Sequence, residues 1–532
     1  MRDPKLETSS SGRETRLPAR LSGTHHPLLY EVDARLLLAE LSAQKRRRVT
    51  LGEIPEELID AWAQWGFDAV WIAGVWSTGD MARQIALDNL LLRNEFSRIL
   101  PDWTPADVGS SPLAICSYAV DPRLGTEEDL QLLRGRIAER GMGLILDFVA
   151  NHTARDAEWL STHPEYYVHG QEGDAELYPD MYFTKNSESE EDTIALGRDP
   201  AFMAWRDTAQ LNIFSRETQQ ALIGELQRVA RLCDGVRCDM AMLLLRDVFA
   251  RTWSRNLPSL TVDGEDEEFW KTAIAAVKEK HSSFLFLGEA YWNRDWDLQD
   301  LGFDFTYDKV LYDRLLREGA TSVRDHLMAE FSFQSRRARF LESHHEDRAA
   351  YVFDDEHWHS AAAAIVSTVP GMVLFREGQL EGRAVRLPLQ LLRRPRERGS
   401  DVLRDFYRRL LSCVGDTVFR EGGWTMLTPR PAWRDNPTWE NFLVFFWHHE
   451  TKGDRMIVVN YAPHGGQCYV TVPLEHLTAA SVEFRDLIGS SVYARGRGNL
   501  LAKGMYFDMP PYGLHIFDVK AVREGEDSPV SS

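Results

Sequence analysis

The chain has 532 residues, 44 % of them apolar and 11 % aromatic, a globular composition that suits a barrel of roughly 250 to 400 residues plus a smaller module. Its 81 acidic against 61 basic residues leave a net charge of −20, which repels a phosphate backbone, argues against nucleic acid as the main partner and favours neutral or cationic ligands. Five cysteines (Cys116, Cys233, Cys238, Cys413 and Cys468) show no CxxC spacing, so reduced thiols are expected rather than a zinc framework or disulfides.

In chain order, residues 1–26 mix acids with arginines and lack the apolar core of a signal peptide, so they read as a disordered leader. No apolar run approaches the roughly 20 residues of a spanning helix, and no membrane partner and a cytoplasmic location are expected. From residue 27 to 417 short apolar runs alternate with amphipathic stretches such as EELIDAWAQWG and TEEDLQLLRGRIAERG. The runs are LLYEV, DAVWIA, GLILDF, DGVRCD, FLFLGE, DFTYD, RFLES and MVLFRE. Near-continuous apolarity means burial on both faces, as in parallel βα units, and eight such strands close a (β/α)8 TIM barrel of the α/β class. An insertion of about 152–205, rich in Asp, Glu, Tyr and Ser, follows the third run, in the kind of loop where such barrels carry function. Its ESEED run, like EDEE at 265–268, reads as solvated loop, and LLRRPRERG (391–399) as the cap of a surface helix. Residues 418–522 change to short alternating strands with Gly/Pro turns, a C-terminal all-β sandwich, and 523–532 form a polar tail.

Charged residues recur where the barrel strands end: Asp147 and His152 after the third, Arg237 and Asp239 in the fourth, Glu289 ending the fifth, His344 and His345 after the seventh. In a closed parallel barrel all of these converge on one mouth. Two carboxylates facing each other there suit glycosidic bond cleavage, one attacking the anomeric carbon and the other protonating the leaving oxygen. Asp239 and Glu289 lie on neighbouring strands, so a separation near the roughly 5 Å of retaining enzymes is expected. Arg237, two residues before Asp239, shares its face and would keep it ionised. Apolar Phe286 and Leu287 beside Glu289 lead to the expectation of a raised pKa, suited to a general acid.

The segments DFVANH (147–152), GVRCDMAM (235–242), GEAYW (288–292) and FLESHHEDR (340–348) resemble the four ordered signature regions of the α-amylase family, glycoside hydrolase family 13. The resemblance runs over about residues 27–520. It implies a retaining enzyme on α-glucans or α-glucosides, with Asp239 as nucleophile and Glu289 as acid/base. It further implies Arg237, His152, His344, His345 and Arg348 at the sugar, Asp147 bracing the site, and the insertion as the family's domain B. A transglycosidase uses the same intermediate, and a catalytically weakened glucan- or protein-binding protein is the rival from another class.

Three departures from the family pattern stand out. His345 replaces the usual third carboxylate, and an imidazolium there would oppose developing oxocarbenium charge, so Glu346 or, better directed, Asp347 becomes the candidate substitute. Leu113 replaces an aromatic platform, leaving Trp76, Trp103, Trp292 and Trp296 as candidates for stacking. Asn151 matches a calcium ligand of the family, yet Gln210 stands where an acid is expected and Met242-Leu243 where a Lys-His can follow, so no metal cofactor is expected.

Overall fold

A computed structural model describes residues 26–186, 191–257 and 267–522. The expected leader, except His26, and the tail lie outside the described residues, as do most of the ESEED run and the first half of EDEE. His26 is itself buried, its Nε2 2.8 Å from the Ser367 carbonyl, so this residue of the expected leader belongs to the packed structure.

The eight apolar runs form a closed parallel barrel: β1 (Leu28–Asp33), β2 (Ala69–Ala73), β3 (Gly143–Phe148), β4 (Gly235–Cys238), β5 (Leu285–Gly288), β6 (Phe305–Tyr307), β7 (Arg337–Arg339) and β8 (Met372–Arg376). Each strand pairs with its sequence neighbours and β8 closes on β1. β3, β4 and β5 are buried along their whole length, because helices cover the outside and side chains fill the inside. At the bottom of β4 a Cβ on Gly235 would meet the Leu285 carbonyl oxygen at 2.6 Å, so only glycine lets the strands approach there.

The helices start where their sequences offer caps. Asp33 accepts from Arg35 and Leu36 N–H at the head of Ala34–Lys45, Thr126 with Asp129 forms a capping box for Glu127–Glu139, and Ser215 caps Arg216–Val229. Each such cap contributes about 1 kcal/mol.

The insertion after β3 runs past its expected end at 205: the strands His152–Ala154 and Thr208–Gln210 pair, and between them Tyr182–Asn186 pairs with Glu191–Ala195. The C-terminal region holds a six-stranded and a three-stranded antiparallel sheet, whose inner faces share one core of Phe442, Val444, Met456, Val470 and Phe507. The basic stretch 391–399 is a loop rather than a helix cap: Arg393 pairs with Asp102 and Asp107, and Arg394 with Glu40 and Glu377. These ion pairs engage two of its four arginines.

Candidate active site

The parallel register sets the site. Arg237 is opposite Asp147 of β3 and Leu287 of β5. Just beyond β4, Asp239 N–H donates to the Phe148 carbonyl at 2.9 Å, and beyond β5, Glu289 N–H donates to the Cys238 carbonyl at 3.1 Å. The ladder therefore delivers both carboxylates to the carboxyl-terminal mouth at one level.

Arg237 lies fully buried beneath them. Its Nη1 is 2.5 Å from Asp239 Oδ1, and its Nη2 is 2.5 Å from Glu289 Oε2. Glu289 also accepts from Met240 N–H at 2.7 Å and from the Tyr291 hydroxyl at 2.7 Å. One oxygen of Asp239, one of Glu289 and one nitrogen of His345 lie within 4.8 Å of one another, which brings the acids to the spacing of retaining glycosidases.

The charge distribution corrects one expectation. Burial favours the neutral form of Glu289, but Arg237, His345 and the Met240 N–H outweigh it and hold its pKa down at about 2. Asp239 moves the other way, pushed up by burial and by the Glu289 charge against the pull of Arg237. The apolar neighbours of Glu289 suggested a raised pKa, whereas the guanidinium on the adjacent strand reaches both acids. The two titrate as a pair sharing one cation.

His345 stands over this pair, its Nε2 3.4 Å from Glu289 Oε1 without the geometry of a hydrogen bond. Burial first, then the neighbouring His344, pull its pKa to about 3. The ring is therefore neutral near pH 7, and the positive charge feared from the sequence is absent.

A cavity of about 810 Å³ opens above the acids and is lined by His152, Asp239, Glu289, Tyr291, Trp292 and His345, with Trp205, Tyr307 and Lys309 further round. Its size suits a small ligand. His152 is neutral, its pKa lowered to about 4 by burial, and its ring lies 5.1 Å from that of Trp205. Leu113 lines the wall where the aromatic platform was missed. Of the four tryptophans named from sequence, Trp292 lines the cavity. Trp76 is buried and donates to the Asp147 carbonyl at 2.7 Å, Trp103 packs on Phe96, and Trp296 lies beside Phe333.

The remaining residues named from sequence line a smaller adjoining chamber instead of this cavity. Asp147, His344 and Arg348 line a chamber of about 40 Å³, which shares Leu113 and Leu389 with the larger one. Asp147 accepts from Trp71 Nε1 at 3.0 Å and Gly74 N–H at 2.8 Å, and burial raises its pKa to about 6. His344 Nδ1 meets Glu31 Oε1 at 2.7 Å. Arg348 is buried against Glu342 at 3.0 Å and donates to the Glu377 carbonyl at 2.9 Å, contacts that hold the loop after β7.

Asp347 is exposed and 3.7 Å from Arg386, so it does not replace the missing acid; Glu346 lines the cavity instead, 3.6 Å from Lys309. The chain leaves the strand at Phe340, and the alternation used to aim Asp347 no longer applies there.

Sequence reasoning missed Glu31, Tyr291, Tyr307 and Lys309. Glu31 had a signal, a lone acid inside the apolar run LLYEV, and Tyr291 had another, an aromatic two residues after Glu289.

At Asn151, Gln210 Nε2 donates to the backbone oxygen at 2.8 Å and to Oδ1 at 3.0 Å. The oxygens that calcium would need already accept hydrogen bonds, and the second side chain brings an amide instead of a carboxylate. The pair thus offers a cation fewer anionic oxygens than an acid at position 210 would.

Among the described residues no helix is long and apolar enough to cross a membrane.

The family described as α-amylase, catalytic domain matches residues 116–383. α-Amylase MalA of Haloarcula japonica is 27 % identical over 273 residues, 50 % of this chain and 35 % of that protein. An α-1,4-glucan:maltose-1-phosphate maltosyltransferase of Arcanobacterium haemolyticum is 26 % identical over 308 residues, 55 % of this chain and 36 % of its own length. The chain thus spans about a third of the length of these curated relatives. The fold is also that of solved structures: an α-amylase from H. orenii superimposes with a TM-score of 0.63 at 17 % identity, covering 93 % of this chain and 99 % of that one. The Nostoc punctiforme debranching enzyme gives a TM-score of 0.62 at 14 % identity, covering 93 % and 98 %.

Proposed function

The chain belongs to the α-amylase family, and from that premise we propose that it is a retaining enzyme cleaving α-glucosidic bonds of α-glucans, malto-oligosaccharides or related α-glucosides. The observation that carries the proposal is the pair Asp239 and Glu289, joined by one buried arginine at the floor of a sugar-sized cavity.

In the first step a carboxylate oxygen of Asp239 attacks the anomeric carbon while Glu289 gives its proton to the glycosidic oxygen. The carbon–oxygen bond breaks and a glycosyl ester forms. Glu289, now ionised, takes a proton from water, which attacks the same carbon and frees Asp239. Two inversions leave the α configuration.

The productive state carries one proton, on Glu289, with Asp239 ionised. In the free enzyme burial and the Glu289 charge raise Asp239 while Arg237 and the Met240 N–H hold Glu289 down, which favours the opposite placement, so on this mechanism sugar binding between the acids shifts the proton. Neutral His345 can hydrogen-bond a ring hydroxyl without opposing the oxocarbenium charge. Asp147, His344 and Glu31 act by fixing the walls.

Transfer to a sugar hydroxyl is the second reading, supported by the likeness to the maltosyltransferase. Five free cysteines support a reducing, cytoplasmic setting. The amide pair Asn151–Gln210 supports a site that works without calcium.

The test is the product profile from maltoheptaose, run beside Asp239→Asn. Shorter products alone support hydrolysis, and longer ones support transfer; both vanish in the variant. Identical profiles in the two proteins would overturn the assignment of Asp239.

A further inference from the structure

The alternation that fills the C-terminal core also builds a second cluster at its open end. Phe442, Val444 and Phe446 face the interior from the strand Phe442–His449, and Met456 and Val458 from Gly453–Asn460. Two residues further along each row stand His448 and Asp454, direct cross-strand partners. The connection 471–480 follows from the smaller sheet. Its turn, closed by Leu477 N–H donating to the Leu474 carbonyl at 3.1 Å, brings His476 to the same carboxylate.

His448 Nδ1 lies 2.6 Å from Asp454 Oδ1, and His476 Nε2 lies 2.7 Å from Asp454 Oδ2. The imidazole centroids are 4.5 Å apart, and one donor atom from each of the three residues falls within 4.8 Å of the others. Asp454 is 1 % exposed, the imidazoles 42 % and 36 %. The Arg455 guanidinium, next in sequence, is engaged with the Asp454 backbone carbonyl at 2.8 Å, with Asp518 and with Asp416.

We propose that His448, Asp454 and His476 form a site for a divalent transition-metal ion of the zinc class. Such ions take imidazole nitrogen and carboxylate oxygen at about 2.0–2.2 Å, with a fourth position left to water. Two nitrogens in a set of three disfavour calcium and magnesium, which want oxygen. The ion would lie between the two ring nitrogens and the carboxylate, displacing the hydrogens that now face Asp454. Each imidazole binds as the tautomer whose hydrogen lies on the nitrogen away from the carboxylate, and a ring that carries hydrogens on both nitrogens releases one to solvent. The half-exposed rings supply the small outward movement this needs. The buried carboxylate fixes the base of the site, and strand register fixes His448 over it.

The experiment is calorimetric titration of the full chain with Zn²⁺ alone, together with the visible spectrum after Co²⁺ addition. The variants are His476→Ala, the double His448→Ala/His476→Ala, and Asp239→Asn/His345→Ala, which removes the carboxylate–imidazole cluster of the barrel mouth. The expected result is one ion at this site, kept in Asp239→Asn/His345→Ala, weakened at least tenfold in His476→Ala and lost in the double variant. Co²⁺ should give the visible bands of a four-coordinate ion only where His448 and His476 are both present. His476 sits on a surface turn, so its single variant keeps the test valid if the double variant fails to fold. Binding that survives in the double variant, that disappears with the barrel cluster, or that never occurs would overturn the proposal.

Discussion

The barrel mouth and the open end of the C-terminal sandwich each gather carboxylate and imidazole within the same 4.8 Å span, yet their surroundings give them opposite chemistry. At the mouth, Arg237 already supplies a buried positive charge to both acids, and His345 is held neutral above them. The proton is what moves there. At the sandwich end the neighbouring arginine is engaged elsewhere, and two half-exposed imidazoles share one buried carboxylate. On the two proposals made above, the same donor types serve acid–base work or cation binding according to where the nearest guanidinium points.

The change that breaks the comparison most severely is Asp239→Asn. It removes the proposed nucleophile, and turnover of maltoheptaose should fall at least about a thousandfold while the thermal midpoint stays near that of the parent, measured by product quantitation and calorimetry. Glu289→Gln comes next, with a loss of roughly 10² to 10⁴ on maltoheptaose. On α-maltosyl fluoride, whose leaving group needs no proton, the same variant should lose far less. Equal losses on both substrates would remove Glu289 from the role of acid.

A smaller effect sharpens the part played by His345. Placing a carboxylate there, His345→Asp, sets a negative charge beside Glu289 in place of a neutral ring. Ionisation of Glu289 then becomes harder, its pKa rises, and the protonated acid persists to higher pH. The basic limb of the kcat/KM profile should move upward in pH, with kcat changing within about tenfold; a limb that stays in place would show no electrostatic coupling between the two residues. Smallest of all, chelation by EDTA should leave initial rates unchanged and lower the thermal midpoint by a few degrees at most, an effect confined to protein carrying His448 and His476. Loss of activity on chelation would place a metal in the barrel chemistry.

The barrel was readable because its strands are buried on both faces and so appear as unbroken apolar runs, and the charges at their ends stand out against that background. Asp239 and Glu289 were legible for this reason. What the sequence concealed was lateral. Arg237 was expected to serve Asp239, two residues away on its own strand, and its second contact with Glu289 on β5 exists only through the register. Asp347 was misdirected because strand alternation was carried past the strand's end into an irregular loop. Glu31 was hidden by its position, since one acid in β1 reads as part of a core strand until His344 is seen 2.7 Å away from across the closure. His476 carried no signal at all, because a turn 22 residues beyond Asp454 gives no periodic hint of return.

The central claim is that Asp239 forms a glycosyl ester beneath an α-linked sugar. It is tested most directly by incubating the enzyme with a 5-fluoro-α-glycosyl fluoride, which slows hydrolysis of the ester, and mapping the labelled peptide by mass spectrometry. The account predicts one added glycosyl group on the peptide holding Asp239, with none on Asp239→Asn. Labelling at another residue, or turnover of the fluoride with no trapped ester, would contradict it.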